Sequence, residues 1–60
     1  MRLLLTSEAC RLLRVSPKTM RELVRAGTVP VVTMPGMQSV RFREDQLAEV
    51  IQRNTRRRTQ

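Results

Sequence analysis

The sequence predicts a small α+β domain of three short helices and a two-stranded β-hairpin, on three observations. Apolar residues recur at helical spacing in three separate segments, β-branched residues flank a Pro-Gly turn, and short connections join the segments. At 60 residues, 40% hydrophobic and with Phe42 its one aromatic side chain, the chain must build its core from Leu, Val, Ile and Met. A chain this short buries only about 60% of the surface it exposes when unfolded, so that core is marginal.

The first helix is expected from about Ser7 to Arg14. Thr6 is its N-cap, the hydroxyl accepting from a free amide of the first turn, and Glu8 lies at the positive end of the helix dipole. Ala9, Leu12 and Leu13 are spaced i, i+3, i+4 and make one apolar face, with Arg11 and Arg14 on the other side. Cys10, beside that face, is a small buried filler.

The second helix carries the clearest local signal. Ser16 is the N-cap and Pro17 takes the first helical position, where its missing amide proton costs nothing. Val15 and Met20 form a hydrophobic staple, and Met20, Leu23 and Val24 continue the apolar face. Gly27 ends the helix in a left-handed conformation. The outward face is Lys18, Thr19, Arg21, Glu22 and Arg25. Only Arg14 and Val15 separate this helix from the first, a helix-turn-helix connection.

After Gly27 the chain turns to strand formers: Val29, Val31 and Val32, then Val40 and Phe42. Met34-Pro35-Gly36-Met37 is the turn between them. A register set by that turn places Val29 opposite Phe42 and Val31 opposite Val40, with Ser39, Arg41 and Arg43 outward beside Pro30 and Val32. Pro-Gly favours a type II turn, which fits a tight hairpin poorly, so a wider loop and another register are the alternative. The third helix is expected from Glu44 to about Arg53, with Leu47, Val50 and Ile51 as its apolar face and Glu44 and Asp45 in its first turn. The domain thus spans residues 1–53, and residues 54–60 are expected to be a basic, disordered tail.

Function classes fall away on composition. With no His and one Cys, the chain has no zinc-finger spacing, haem motif, disulfide framework or Ser-His or Cys-His pair, so neither enzyme activity nor a metal or cofactor is expected. Leu3-Leu4-Leu5 is too short for a signal peptide, and no stretch approaches the roughly 20 apolar residues of a membrane span. A cytoplasmic protein is expected, in a bacterial host and associated with the nucleoid when bound. Twelve basic residues against five acidic ones give a formal charge of +7, an attractive field for polyanions.

A basic helix after a tight turn has the diameter to enter the major groove, where base edges differ in donor and acceptor pattern. Ser16, Lys18, Thr19, Arg21 and Arg25 are its candidate contacts: arginine suits guanine, and Thr19 suits a base edge or a thymine methyl. The alternative is an ordinary solvated face. The hairpin makes a wing, with Gln38, Ser39, Arg41 and Arg43 placed for the minor groove or, for the arginines, for protecting a strand edge. Arg56, Arg57 and Arg58 supply phosphate affinity or meet an acidic partner. Met34 and Met37 suit either an adaptable contact or a cover for the core.

From Leu5 to Arg21, and on through Arg25-Ala26-Gly27, Val29-Pro30 and Val40-Arg41-Phe42-Arg43, the chain resembles excisionase-type DNA-binding domains, the recombination directionality factors of phages and mobile elements. The resemblance covers residues 3 to 52, and the order and spacing of its motifs are its specific part. It implies a winged helix-turn-helix related to the MerR-type regulators, with the second helix in the major groove and the wing beside the minor groove. Two departures stand out. Arg14 replaces a glycine often found in the turn, predicting a strained or wider turn, and the absence of an acid at Ala9 removes a capping box.

The expected function is therefore sequence-selective binding of double-stranded DNA by a protein that is a monomer in free solution. Because the chain stops almost where the domain stops, no effector or dimerisation segment is expected, which favours an excisionase over a MerR-type regulator. In that reading several copies fill adjacent sites cooperatively, touch head to tail, bend the DNA and assist a tyrosine- or serine-type integrase. A small transcriptional regulator is the first alternative. RNA or ribosome binding, a protein-interaction module with an acidic partner, and a cationic peptide acting at anionic membranes are the others.

Overall fold

In the computed structural model, which describes residues 1–55, five elements follow one another: β1 (Leu3–Leu4), α1 (Thr6–Leu13), α2 (Pro17–Arg25), β2 (Phe42–Arg43) and α3 (Glu44–Asn54). Helix α1 begins one residue earlier than the sequence predicts. Thr6 lies inside it, and the cap position is Leu5, whose side chain has nothing to offer the free amides. Glu8 compensates: its Oε1 accepts the Leu5 amide proton at 2.8 Å, the returning half of a capping box. That half forms without any acid at Ala9.

Both α1 and α2 end in a Schellman motif. At the end of α1 the Val15 amide donates to the Cys10 carbonyl at 3.0 Å and the Arg14 amide to that of Arg11 at 3.3 Å. At the end of α2 the Thr28 amide donates to Leu23 and the Gly27 amide to Val24, both at 3.0 Å. The left-handed position is Gly27 (φ 80°) in α2 but Arg14 (φ 58°) in α1. The turn between the helices is therefore not widened. It keeps glycine's geometry and carries a local strain of about 1 kcal/mol on Arg14. Ser16 caps α2 as expected, its Oγ accepting from the Thr19 amide at 3.2 Å, with Pro17 following.

The wing departs from the expected register. The Met37 amide donates to Met34 O at 3.0 Å, and Gly36 has φ 85°, so Met34–Met37 is a type II turn. Its twist does not suit a tight hairpin, and the ladder is reduced to one bridge, Val32 opposite Arg41, with amide–carbonyl bonds of 2.7 and 2.9 Å. This pairing is shifted by two residues from the expected one. An even shift leaves every side chain on its face, so Val29 and Phe42 still point inward and are 1% exposed.

The regular sheet is one that the strand patterns in the sequence do not predict. β1 pairs antiparallel with β2, Leu3 opposite Arg43 and Leu4 opposite Phe42, and the Glu44 amide extends the pairing to Arg2 O at 2.9 Å. The apolar Leu3–Leu5 run thus becomes an edge strand plus the entry to α1. The segment Arg41–Arg43 lies between the wing strand on one side and β1 on the other.

Leu4, Ala9, Cys10, Met20, Val29, Phe42, Leu47 and Val50 form the core, with Leu13, Val15, Leu23, Val24, Val31 and Val40 packed around it. Leu12 and Ile51 are exposed, contrary to expectation. Each is turned by about 100° from the centre of its helix's buried stripe, which runs through Ala9, Cys10 and Leu13 in α1 and through Gln46, Leu47 and Val50 in α3. Helix α3 runs to Asn54, one residue beyond the expected Arg53. Asn54 closes α3 by donating from Nδ2 to Val50 O at 2.8 Å, and the Thr55 hydroxyl donates to Ile51 O. Among the described residues no helix is long and apolar enough to cross a membrane.

Candidate nucleic-acid interface

Met20, Leu23 and Val24 turn α2 onto the core, which decides what its other side presents. At about 100° per residue, Lys18, Glu22 and Arg25 stand nearest the centre of the outward face, flanked by Thr19 and Arg21. All five are exposed, as is Ser16. The Ser16 hydroxyl serves the helix cap and also donates to Thr19 Oγ1 at 3.1 Å. The Thr19 oxygen is thereby used as an acceptor, and its own proton is left to donate outward.

The charges on this face are not neutralised internally. Among the described residues the ion pairs are Arg2 with Glu8 and Glu44, Arg43 with Asp45, and Arg53 with Glu49. Among the described residues no carboxylate lies within 4.0 Å of Lys18, Arg21 or Arg25, nor of Arg11 or Arg14 at the end of α1. Helical periodicity alone puts Arg14 on the back of α1, whereas its left-handed backbone sets it in the turn leading into α2.

The wing residues separate into two groups. Gln38 and Ser39 are exposed in the loop after the type II turn. Arg41 is half-buried, bridged through its main chain to Val32, and its Nη1 donates to Val40 O at 3.2 Å. Arg43 belongs to a different place. It caps α3 and forks onto Asp45, Nε to Oδ1 at 3.1 Å and Nη2 to Oδ2 at 2.7 Å. The hydrogen bond from Arg43, aided by its charge and by the Gln46 amide, holds the Asp45 carboxyl below its ordinary pKa. A phosphate approaching Arg43 would compete with that carboxylate, whereas Arg41 has no acidic partner among the described residues. Arg56, Arg57 and Arg58 lie outside the described residues.

Helix α2 and the strand leaving the wing face each other across an open groove of about 460 Å³. Met20, Val24, Val40 and Phe42 contribute apolar lining, and Arg21 and Arg25 line it from the helix. The fold therefore brings Arg21 and Arg25 of α2 and the wing strand to the two sides of one open groove.

A family model described as a helix-turn-helix domain matches residues 3–55. No curated protein and no solved structure matches the chain.

Proposed function

The chain belongs to the helix-turn-helix domain family, a DNA-binding family, and from that premise we propose that it is an excisionase. Three exposed cations on one helix face, Lys18, Arg21 and Arg25, with no carboxylate of the described residues within 4.0 Å, carry the DNA side of this reading. A cation already paired within the protein has little left for a phosphate or a guanine. These have all of it.

Helix α2 enters the major groove of double-stranded DNA, with Lys18, Thr19 and Arg21 at base edges and Arg25 a turn further along on phosphate. The sugar-phosphate backbone passes over the groove between α2 and the wing, and Arg41 reaches the adjoining minor groove, where a narrow A·T tract concentrates negative potential. Arg56, Arg57 and Arg58 add phosphate contacts or touch the integrase. The excisionase output is supported by the ordered resemblance from Leu5 to Arg43. Its turn residues fall in the turn between α1 and α2, its arginine-x-glycine at the end of α2, and its arginine-flanked strand at β2. Copies of the monomer fill adjacent sites and bend the DNA. Bending costs about 1–6 kcal/mol for a 20–30 base-pair site, more than one small module readily offsets, which favours cooperative filling.

The test is a gel-shift titration on the attachment-site DNA of the element that encodes the protein, against a scrambled duplex of equal length, at two salt concentrations. A ladder of successively slower bands on the attachment site alone is the expected result. A single discrete band on promoter DNA, with no preference for the attachment site, would make the protein a transcriptional regulator. Equal binding to both duplexes, vanishing together as salt rises, would leave only charge at work.

A further inference from the structure

Four of the five acidic residues hold an arginine: Glu8 and Glu44 share Arg2, Asp45 holds Arg43 and Glu49 holds Arg53. Glu22 holds none among the described residues, although Lys18 is four residues before it and Arg25 three after it, the two spacings at which helix side chains meet. It also lies near the centre of the outward face of α2, between those two cations. On a helix facing polyanionic DNA, an acid there weakens attraction to phosphate at every sequence. Such a residue is useful only if it gains something at a particular sequence.

We infer that Glu22 is a specificity determinant that accepts a hydrogen bond from the N4 amino group of one cytosine in the major groove. The inference rests on the placement of α2 in that groove. The chemistry selects cytosine because its major-groove edge offers an amino donor with no acceptor beside it, whereas adenine sets N7 next to its amino group and guanine and thymine offer acceptors. The cations beside it are donors only. Lys18, Arg21 and Arg25 have nothing but N–H groups, whereas the Thr19 hydroxyl accepts from Ser16 and keeps its own O–H to donate. The three cations read guanine O6 and N7, adenine N7, thymine O4 or phosphate, and Glu22 supplies the acceptor they lack. With Lys18 one helical turn before it at a base edge and Arg25 on phosphate after it, the expected site has guanine close to that cytosine on the Lys18 side.

The test compares wild type, Glu22→Gln and Glu22→Ala by selecting sites from a randomised duplex pool, then measures affinity on the selected site and on that site with the cytosine replaced by 2-pyrimidinone, which lacks the amino group. Circular dichroism confirms folding of each variant, and the exposure of Glu22 predicts that all fold. Wild type is expected to require cytosine at one position and to bind about tenfold more weakly to the 2-pyrimidinone duplex. Glu22→Ala is expected to bind unrelated duplexes more tightly than wild type and to bind the two forms of the site equally. Glu22→Gln keeps a carbonyl acceptor and is expected to retain part of the cytosine preference. Tighter binding by Glu22→Ala with every base preference unchanged would overturn the inference and leave the groove placement standing. Absence of any base preference in wild type would overturn both.

Discussion

Leu4 and Phe42 stand opposite each other across β1–β2, 4% and 1% exposed, and both close on the core that holds Met20 and Leu47. The start of the chain is thereby fastened to the strand that leaves the wing. A domain of this size has only about 3–9 kcal/mol of stability. Leu4→Ala should cost about 2–5 kcal/mol, enough to lower the melting temperature steeply or to unfold the chain. Leu3→Ala, one residue away but exposed, should cost less than about 0.5 kcal/mol. Thermal melts followed by circular dichroism separate the two, and equal melting would contradict the β1–β2 register.

Arg14→Gly should be more stable than wild type. The left-handed backbone at φ 58° costs an L-residue about 1 kcal/mol that glycine does not incur. The urea midpoint should rise with an unchanged slope. Arg14→Ala keeps the Cβ and should show no such gain. A lower midpoint for Arg14→Gly would mean that the side chain makes a stabilising contact outweighing the backbone strain.

The Arg43–Asp45 fork makes stability depend on pH in a stated direction. The hydrogen bond and charge of Arg43 lower the Asp45 carboxyl pKa in the folded state. A lowered folded pKa stabilises the protein above the unfolded value, about 4, and that contribution disappears as pH falls through the folded value. Wild type should therefore exceed Asp45→Asn in stability at neutral pH, and the two curves should converge in acid. A constant gap across that range would show that the carboxylate's charge contributes nothing.

Arg21→Ala should cost about 1–3 kcal/mol on the preferred DNA site and relax sequence preference at one position. The measurement is affinity across a panel of single-base variants of the site. Uniform weakening over the whole panel would reassign Arg21 to phosphate.

Deleting residues 56–60 removes three arginines. The slope of log affinity against log salt should become shallower by up to about 0.9 for every phosphate the shortened chain no longer neutralises, with sequence preference unchanged. A deletion that spares DNA binding but abolishes excision would make the tail an attachment point for the integrase.

The candidate site was largely legible because α2 is locally determined. Ser16, Pro17 and Gly27 set its ends, and Met20, Leu23 and Val24 set which side is hidden, so the exposure of Lys18, Thr19, Arg21 and Arg25 follows from spacing alone. Spacing does not say which cation meets a carboxylate. Arg41 and Arg43 look equivalent along the strand, yet only Arg43 lies at the start of α3 within reach of Asp45. Glu22 carries the same formal charge in the sequence as Glu49, and only the fold shows that Glu49 holds Arg53 while Glu22 holds no cation among the described residues.

What the sequence determined by itself was the local part: three amphipathic helices, the tight connection before α2, the turn at Pro35-Gly36, the inward side of Val29 and Phe42, and the basic face. Each depends on residues within a few positions of one another, through caps, dihedral preference and periodicity. The tertiary structure decided the pairing of Leu4 with Phe42, the bridge between Val32 and Arg41, and the exposure of Leu12 and Ile51. These depend on which distant segment covers which, and an apolar run such as Leu3-Leu4-Leu5 states only that it will be covered. Its partner is chosen by main-chain hydrogen bonding to a strand far along the chain, for which three leucines carry no code.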